Sequence, residues 1–351
     1  MSTFQDLTRA RASGEITPGP VVVAEIRRVL ACCLDAGAAE APLEIRALKH
    51  RVYRVRPTSG AARSLIAKRL DATVARRNRL VMERWLPAIG LEAYAPALLG
   101  AVAAPDLEAN WLIFEDVDGV PLKQRQDDAS CVLAAIRPIA QLHTRAAGQP
   151  IVSECGSDDA NLGMGYFTAN VGGASELLQA LRPPVVAVTR RQARLRDRLS
   201  RRLDALAAGQ PARARLMADA GGPDTMLHGD LWTTNLLIVE QDGGLGARLI
   251  DWDHVGAGPI CYDLSTLLYR FDRAARGWVL DAYRDAVADA GWRLPPIPEL
   301  NLLSETAECA RYANRVIWAA IALLNDGATW GFDELAEIDQ WFEALEPVLD
   351  A

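Results

Sequence analysis

Two short apolar segments, residues 236–240 and 247–250, interrupt a long run of helical sequence and are joined by the glycine-rich turn Asp242-Gly-Gly-Leu-Gly246. A hairpin of this kind brings its two outer ends together, here Asn235 and Asp251. Any fold this chain adopts must therefore set an amide and a carboxylate side by side at the base of a hairpin. A second carboxylate, Asp230, lies five residues before Asn235 in the polar sequence His228-Gly-Asp230.

The sequence around this hairpin changes character along the chain. Residues 1–18 are polar and read as a loose start. From Pro20 the apolar positions Val22, Ile26, Val29, Leu30 and Cys33 recur at helical spacing, with Gly37 placed to end the helix. Strand-like pieces follow at 43–48, 51–56 and 64–70, the last two separated by the turn sequence Pro57-Thr-Ser-Gly60. A helical segment at 71–86 comes next, then another strand at 109–114 and the acidic stretch Glu115-Asp-Val-Asp-Gly119. Beyond this, helical periodicity dominates at 129–147, 188–206, 305–324 and 333–349. At 351 residues the chain is too long for one ordinary core. We divide it into an N-terminal helical extension at 1–40, a small sheet region at 41–118 and a mainly helical region at 119–351.

Charge and composition exclude several roles. The net charge is −7, which disfavours a nucleic-acid partner held by a basic face. No apolar run is long enough for a membrane span, and no signal sequence is evident. The six cysteines show no metal-binding or disulfide-framework spacing, so the chain reads as reduced and cytoplasmic. Locally the charge is uneven. Residues 46–69 hold eight Lys/Arg and no acid, whereas residues 299–351 hold eleven Asp/Glu and two Arg.

Asp230, Asn235 and Asp251 suit magnesium-dependent phosphoryl transfer. Mg²⁺ is a hard cation that takes amide and carboxylate oxygens together with phosphate oxygens. A separate carboxylate can accept the proton of an attacking hydroxyl. The wider pattern resembles the aminoglycoside phosphotransferase family and its choline kinase-like relatives. It comprises His228, Asp230, Asn235, Ile250-Asp251, Gly258-Pro259 and Asp263-Leu264. The resemblance implies an α+β, two-lobed, protein-kinase-like fold with a small antiparallel-sheet N-lobe and a mainly helical C-lobe. By the same resemblance Asp230 is the catalytic base, Asn235 and Asp251 hold Mg²⁺, and His228 and Asp263 organise the loop. Lys68 is similar to the strand lysine that reaches the nucleotide phosphates, and Glu115–Val117 to the hinge that binds adenine. The acid that pairs with this lysine is either Glu83 or a residue nearer Asn78. The turn Ala47-Leu-Lys-His-Arg-Val52, where a phosphate-covering loop is expected, contains no glycine.

The implied activity is an ATP- and Mg²⁺-dependent transfer to a hydroxyl of a small molecule, with GTP as an alternative donor. The acidic C-terminal helices suggest a cationic acceptor of the aminoglycoside or amino-alcohol type. On that reading Asp253, Glu305, Glu308, Asp326, Trp318 and Trp330 would face it, with Asp333 and Glu334 as further acids. The alternative for these acids is a solvated helix face. The alternative functions are a catalytically silent nucleotide-binding module and an atypical protein kinase, although no D-F-G, A-P-E or activation segment is evident. Oligomeric state is not encoded in any motif.

Overall fold

A computed structural model describes residues 18–33, 42–58, 63–104, 109–157, 160–241 and 243–350. The start at 1–17, Gly37, Gly60 and Asp242 lie outside the described residues. The chain divides into two compact units: residues 1–138 with 233–253, and residues 139–232 with 254–351. The hairpin therefore belongs with the N-terminal sheet, so the first unit is larger than the sequence boundary at 118 gives.

In the first unit, strands β1 (Leu43–Lys49), β2 (Val52–Pro57), β3 (Leu65–Asp71), β4 (Leu98–Ala103) and β5 (Ala109–Glu115) form an antiparallel sheet in the order β1-β2-β3-β5-β4. Alternation along the strands decides what each face carries. Ala67, Trp111 and Ile113 point to one face, where Ile26, Val29 and Leu30 of helix α1 (Pro20–Cys33) cover them. The Trp111 indole N–H donates to Glu25 on that helix at 3.0 Å. The first helix is thus part of the sheet's core rather than a separate extension. Ile66, Leu70, Leu112 and Phe114 face the other way, onto Ala75, Val74 and Met82. These belong to helix α2, which runs through Ala72–Leu80, widens into a π turn at Val81–Trp85 and ends at Leu86–Ala88. Lys68 lies between Ile66 and Leu70 on β3 and so shares the α2 side.

The expected hairpin is formed by β7 (Leu236–Gln241) and β8 (Gly244–Leu249), joined at its edge by the two-residue strand β6 (Val120–Pro121). Leu236 pairs with Leu249, and the Ile250 N–H donates to the Asn235 carbonyl at 2.9 Å. That bond closes the hairpin's base and sets Asn235 against Asp251.

The second unit is mainly helical. Helix α3 (Ala129–Ala146) contains Pro138, at which the division between the units falls. Helices α4 (Met164–Ala180), α5 (Arg190–Ala208), α7 (Ile297–Asn325) and α8 (Gly331–Ala344) bury a shared core that includes Phe167, Leu178, Leu199, Val316, Ile338 and Phe342. Thr189 caps α5 by a reciprocal exchange with Gln192. A short ladder, Thr225–Leu227 against Gly256–Gly258, sits beside helix α6 (Cys261–Leu268), which is buried along its whole length.

Candidate active site

In the first unit a cavity of about 370 Å³ opens beside β3 and the hairpin. Leu48, Val52, Ile66, Met82, Phe114 and Leu237 supply apolar wall; Lys49, Lys68, Asn235 and Asp251 supply a polar end. The volume and the mixture of walls suit a small molecule with one flat apolar part and one charged part.

The charged end is organised around Asp251. The residue has φ 70°, a left-handed conformation that an L side chain rarely takes and that aims its carboxylate at two lysines. The Lys49 ammonium donates to Oδ2 at 2.5 Å, and the Lys68 ammonium donates to Oδ1. Burial alone would raise the Asp251 carboxyl; Lys68 and Lys49 outweigh it and hold the group well below the usual carboxylate range. Burial likewise opposes the charge on Lys68, yet Asp251 and Asp253 keep its pKa raised.

The partner of Lys68 differs from either acid expected on the helix. Glu83 is half-exposed and paired with Arg79, one helical turn before it. The position nearer the lysine is Asn78, a buried amide that donates to Asp253 at 3.1 Å. Asp253 itself accepts from Lys68 at 2.6 Å. Asp253 is therefore paired with the lysine. Of the expected hinge, the Glu115 N–H donates to Ala97 at 3.0 Å and its carboxylate pairs with Arg248 at 3.3 Å. Glu115, Asp116 and Val117 all line the cavity.

In the second unit the chain leaves the short ladder at Leu227 and enters His228-Gly229-Asp230. Asp263, fully buried on α6, pins this turn with both oxygens. Its Oδ2 accepts the His228 N–H at 2.8 Å, and its Oδ1 accepts the Gly229 N–H at 2.9 Å. His143 Nε2 stands 3.2 Å from Oδ2, with its Nδ1 2.8 Å from the Tyr283 hydroxyl. The His143 carbonyl accepts from Thr225 at 2.6 Å. Gly229 has φ 80°, and a Cβ there would lie 1.8 Å from the His254 carbonyl oxygen, so no other residue fits the turn. The Asp230 N–H donates to His228 Nδ1 at 3.4 Å, which places His228 within the loop's own bonding.

Three of the six acids expected at the acceptor are bound to arginines of their own unit. Glu308 is buried and accepts from Ser265 at 2.9 Å and from Arg311. Glu305 takes Arg213, and Glu334 takes Arg315 at 2.5 Å. Asp339 accepts from Arg198 Nη2 at 2.5 Å and from Nε at 2.9 Å. The acidic run is thus largely the counter-charge of arginines, two of them (Arg198 and Arg202) on the arginine-rich α5; Glu308 is buried in such a pair, whereas Glu305 is paired but partly exposed. Trp318, half-exposed, and Asp326, exposed, lie on or just past α7; Trp330 is partly buried. Near Asp230 the structure adds two residues that sequence alone did not single out. Trp232, two residues on, carries the Arg270 guanidinium 3.5 Å above its ring. Arg311 is largely buried; burial disfavours its charge, but Glu308, Tyr262 and Asp230 outweigh this and raise its pKa.

Among the described residues no group of three His, Cys, Asp or Glu side chains is placed to hold a metal ion unaided. None of the helices described is long and apolar enough to cross a membrane. A five-stranded antiparallel sheet with a lysine on its third strand, a pinned His-Gly-Asp turn and a hairpin ending in aspartate define a protein-kinase-like phosphotransferase. The chain matches the APH phosphotransferase enzyme family over residues 44–295, more than two thirds of its length, and it belongs to that family. Membership makes it a small-molecule kinase. No curated protein matches it in sequence.

Solved structures share the fold. An ethanolamine kinase from Plasmodium vivax aligns with a TM-score of 0.62 at 12% identity, over 97% of this chain and 93% of that one. A choline/ethanolamine kinase family protein from Mesorhizobium loti aligns at 0.57 and 16%, over 91% and 94%. A spectinomycin phosphotransferase in complex with ADP and spectinomycin aligns at 0.55 and 12%, over 88% of each chain.

Proposed function

We propose that the protein transfers the γ-phosphoryl group of ATP, with Mg²⁺, to a hydroxyl of a small-molecule acceptor. The observation that carries this reading is the polar end of the cavity, where two lysine ammoniums converge on an ionised Asp251 beside Asn235. Lysines at that point match the charge of nucleotide phosphates. The apolar walls from Leu48, Val52, Ile66 and Phe114 match a purine face.

The donor set also fits a magnesium ion. Asn235 and Asp251 offer hard oxygens, and the Asp251 oxygens already accept two positive ammonium groups. Asn235 and Asp251 would hold the ion, which would supply positive charge against the phosphates. Lys68 and Lys49 contact the phosphates. Asp230 accepts the proton of the acceptor hydroxyl as its oxygen forms a bond to the γ-phosphorus. The bond between that phosphorus and the β,γ-bridging oxygen breaks, and ADP leaves. Asp263 holds the Asp230 turn by its backbone and takes no part in proton transfer.

The acceptor class we infer is a hydroxyl-bearing small molecule, as ethanolamine, choline and spectinomycin are for the similar proteins. With Glu305, Glu308 and Glu334 already neutralised by arginine, recognition relies on hydrogen bonds and on aromatic faces such as Trp232 rather than on an open acidic wall. The test is Mg²⁺-dependent ADP release with a panel of amino alcohols, aminoglycosides and amino sugars, beside ATP binding by calorimetry. Asp230→Ala is expected to abolish acceptor-dependent turnover and to retain ATP affinity. Equal loss of both would refute the role of Asp230, and a wild type that binds no ATP would refute the nucleotide site.

A further inference from the structure

We infer that Asp253 is the positioning residue for Lys68, taking the task usually given to a helix acid, and that it holds the lysine in place when a divalent ion takes Asp251. The inference rests on the nucleotide reading of the cavity.

Three groups have a claim on Asp251: Lys49, Lys68 and, in the working enzyme, a divalent ion. A carboxylate with only two oxygens cannot serve all three well. Lys68 has a second anchor, because its ammonium also donates to Asp253 Oδ1 at 2.6 Å. That oxygen accepts the Asn78 amide at 3.1 Å as well. Asn78 is fixed in turn: it is buried, and its amide also donates to the Val74 carbonyl one turn back on α2 at 3.0 Å. Helix α2 therefore contributes an uncharged donor where an acid was expected, and the negative charge comes from the end of the hairpin. The two aspartates flank Trp252, whose buried indole donates to the Leu249 carbonyl at 3.0 Å. This holds the short stretch from Asp251 to Asp253 as one rigid piece.

The arrangement has a functional consequence. When the ion takes Asp251, Lys68 keeps a fixed negative partner and stays at the phosphate end. Without Asp253 the lysine has Asp251 alone, and it competes with the ion for the same oxygens. Rescue by an acid supplied from the helix side is what separates this role from coordination by Asp253.

The test measures ATP affinity by calorimetry, first in EDTA and then across a Mg²⁺ series, for the wild type, Asp253→Asn, Asn78→Glu and the double variant. One lost charge contact at this distance is equivalent to about a tenfold change. Asp253→Asn is expected to raise the Mg²⁺ concentration at half-effect about tenfold, with affinity in EDTA within about threefold of wild type. The double variant returns an acid to the lysine from the helix side and is expected to bring the Mg²⁺ midpoint back. An unmoved midpoint in Asp253→Asn would overturn the inference. So would a raised midpoint that Asn78→Glu fails to restore, the result expected if Asp253 were itself a metal ligand. Melting curves of all four proteins separate misfolding from these outcomes. A wild type that binds no ATP would instead overturn the nucleotide site itself.

Discussion

Replacing Asp263 with alanine removes the anchor of the Asp230 turn and strands two buried backbone donors, the His228 and Gly229 N–H groups. Each unsatisfied donor costs about 1–3 kcal/mol, and the lost His143 contact adds to this. The sum is about 3–6 kcal/mol. In a cooperative unit of roughly 200 residues each kcal/mol moves the midpoint by about 2–4 °C, so the variant should melt about 6–24 °C below wild type. Asp263→Asn keeps the size but offers one acceptor oxygen for two donors, and it should fall between the two. The pH dependence follows from the same contacts. Burial would raise the Asp263 carboxyl, but the hydrogen bond and charge of His143, then those of His228, lower it. A group with a depressed folded pKa adds stability above its unfolded value, about 4, and loses it as pH falls through the folded value. The wild type should therefore weaken in acid by more than Asp263→Ala does. Calorimetric melting from pH 7 down to pH 3 reads both effects. A variant melting within about 2 °C of wild type at pH 7 would refute the anchoring argument.

Glu83→Ala removes only a surface pair with Arg79, so stability should change by no more than about 0.5 kcal/mol in denaturant melts and ATP affinity should not move. A tenfold loss of affinity would return the lysine's partner to the helix. Lys49→Met takes a side-chain cation from a turn that has no glycine to expose its amides. The KM for ATP should rise about three- to tenfold with kcat little changed, the range expected for a partly exposed charge contact. Gly229→Ala forces a Cβ onto the His254 carbonyl and should cost about 3 kcal/mol or more, seen as insoluble expression or a melt well below wild type.

The parts of the fold that local pattern dictates were legible in the chain. Strand-like pieces bounded by turn signals marked β1, β2, β3 and β5 to within a residue or two, and the Gly-rich turn marked the hairpin that carries Asn235 and Asp251. The strand Leu98–Ala103 was not legible, because Leu-Leu-Gly-Ala-Val-Ala has no alternation and takes its extended form from pairing with β5. Helix α4 was also missed. Its Gly172 and Gly173 weaken the helical signal, and tertiary packing against α7 overrides them. At the site, the motif around Asp230 showed which residues matter but not what touches what. The partner of Lys68 depends on a residue 185 positions away, so spacing along α2 could not reveal it. The acidic C-terminal run misled for a related reason: its counter-charges sit in other helices, α5 among them, and composition cannot show that two runs neutralise each other.

That neutralisation ties together the histories of two distant stretches of sequence. Asp339 is almost wholly buried and takes Arg198 and Arg202 from α5, while Glu343 takes Arg202 as well. Losing both arginines leaves the buried Asp339 carboxylate without a counter-charge in a low-dielectric setting, which is far costlier than losing the acid with them. Loss of Arg198 and Arg202 should therefore be tolerated together with loss of Asp339 and selected against without it. A mutational library that varies α5 while holding α8 constant would find Arg198 and Arg202 constrained, and the same library with both helices free would find them permissive.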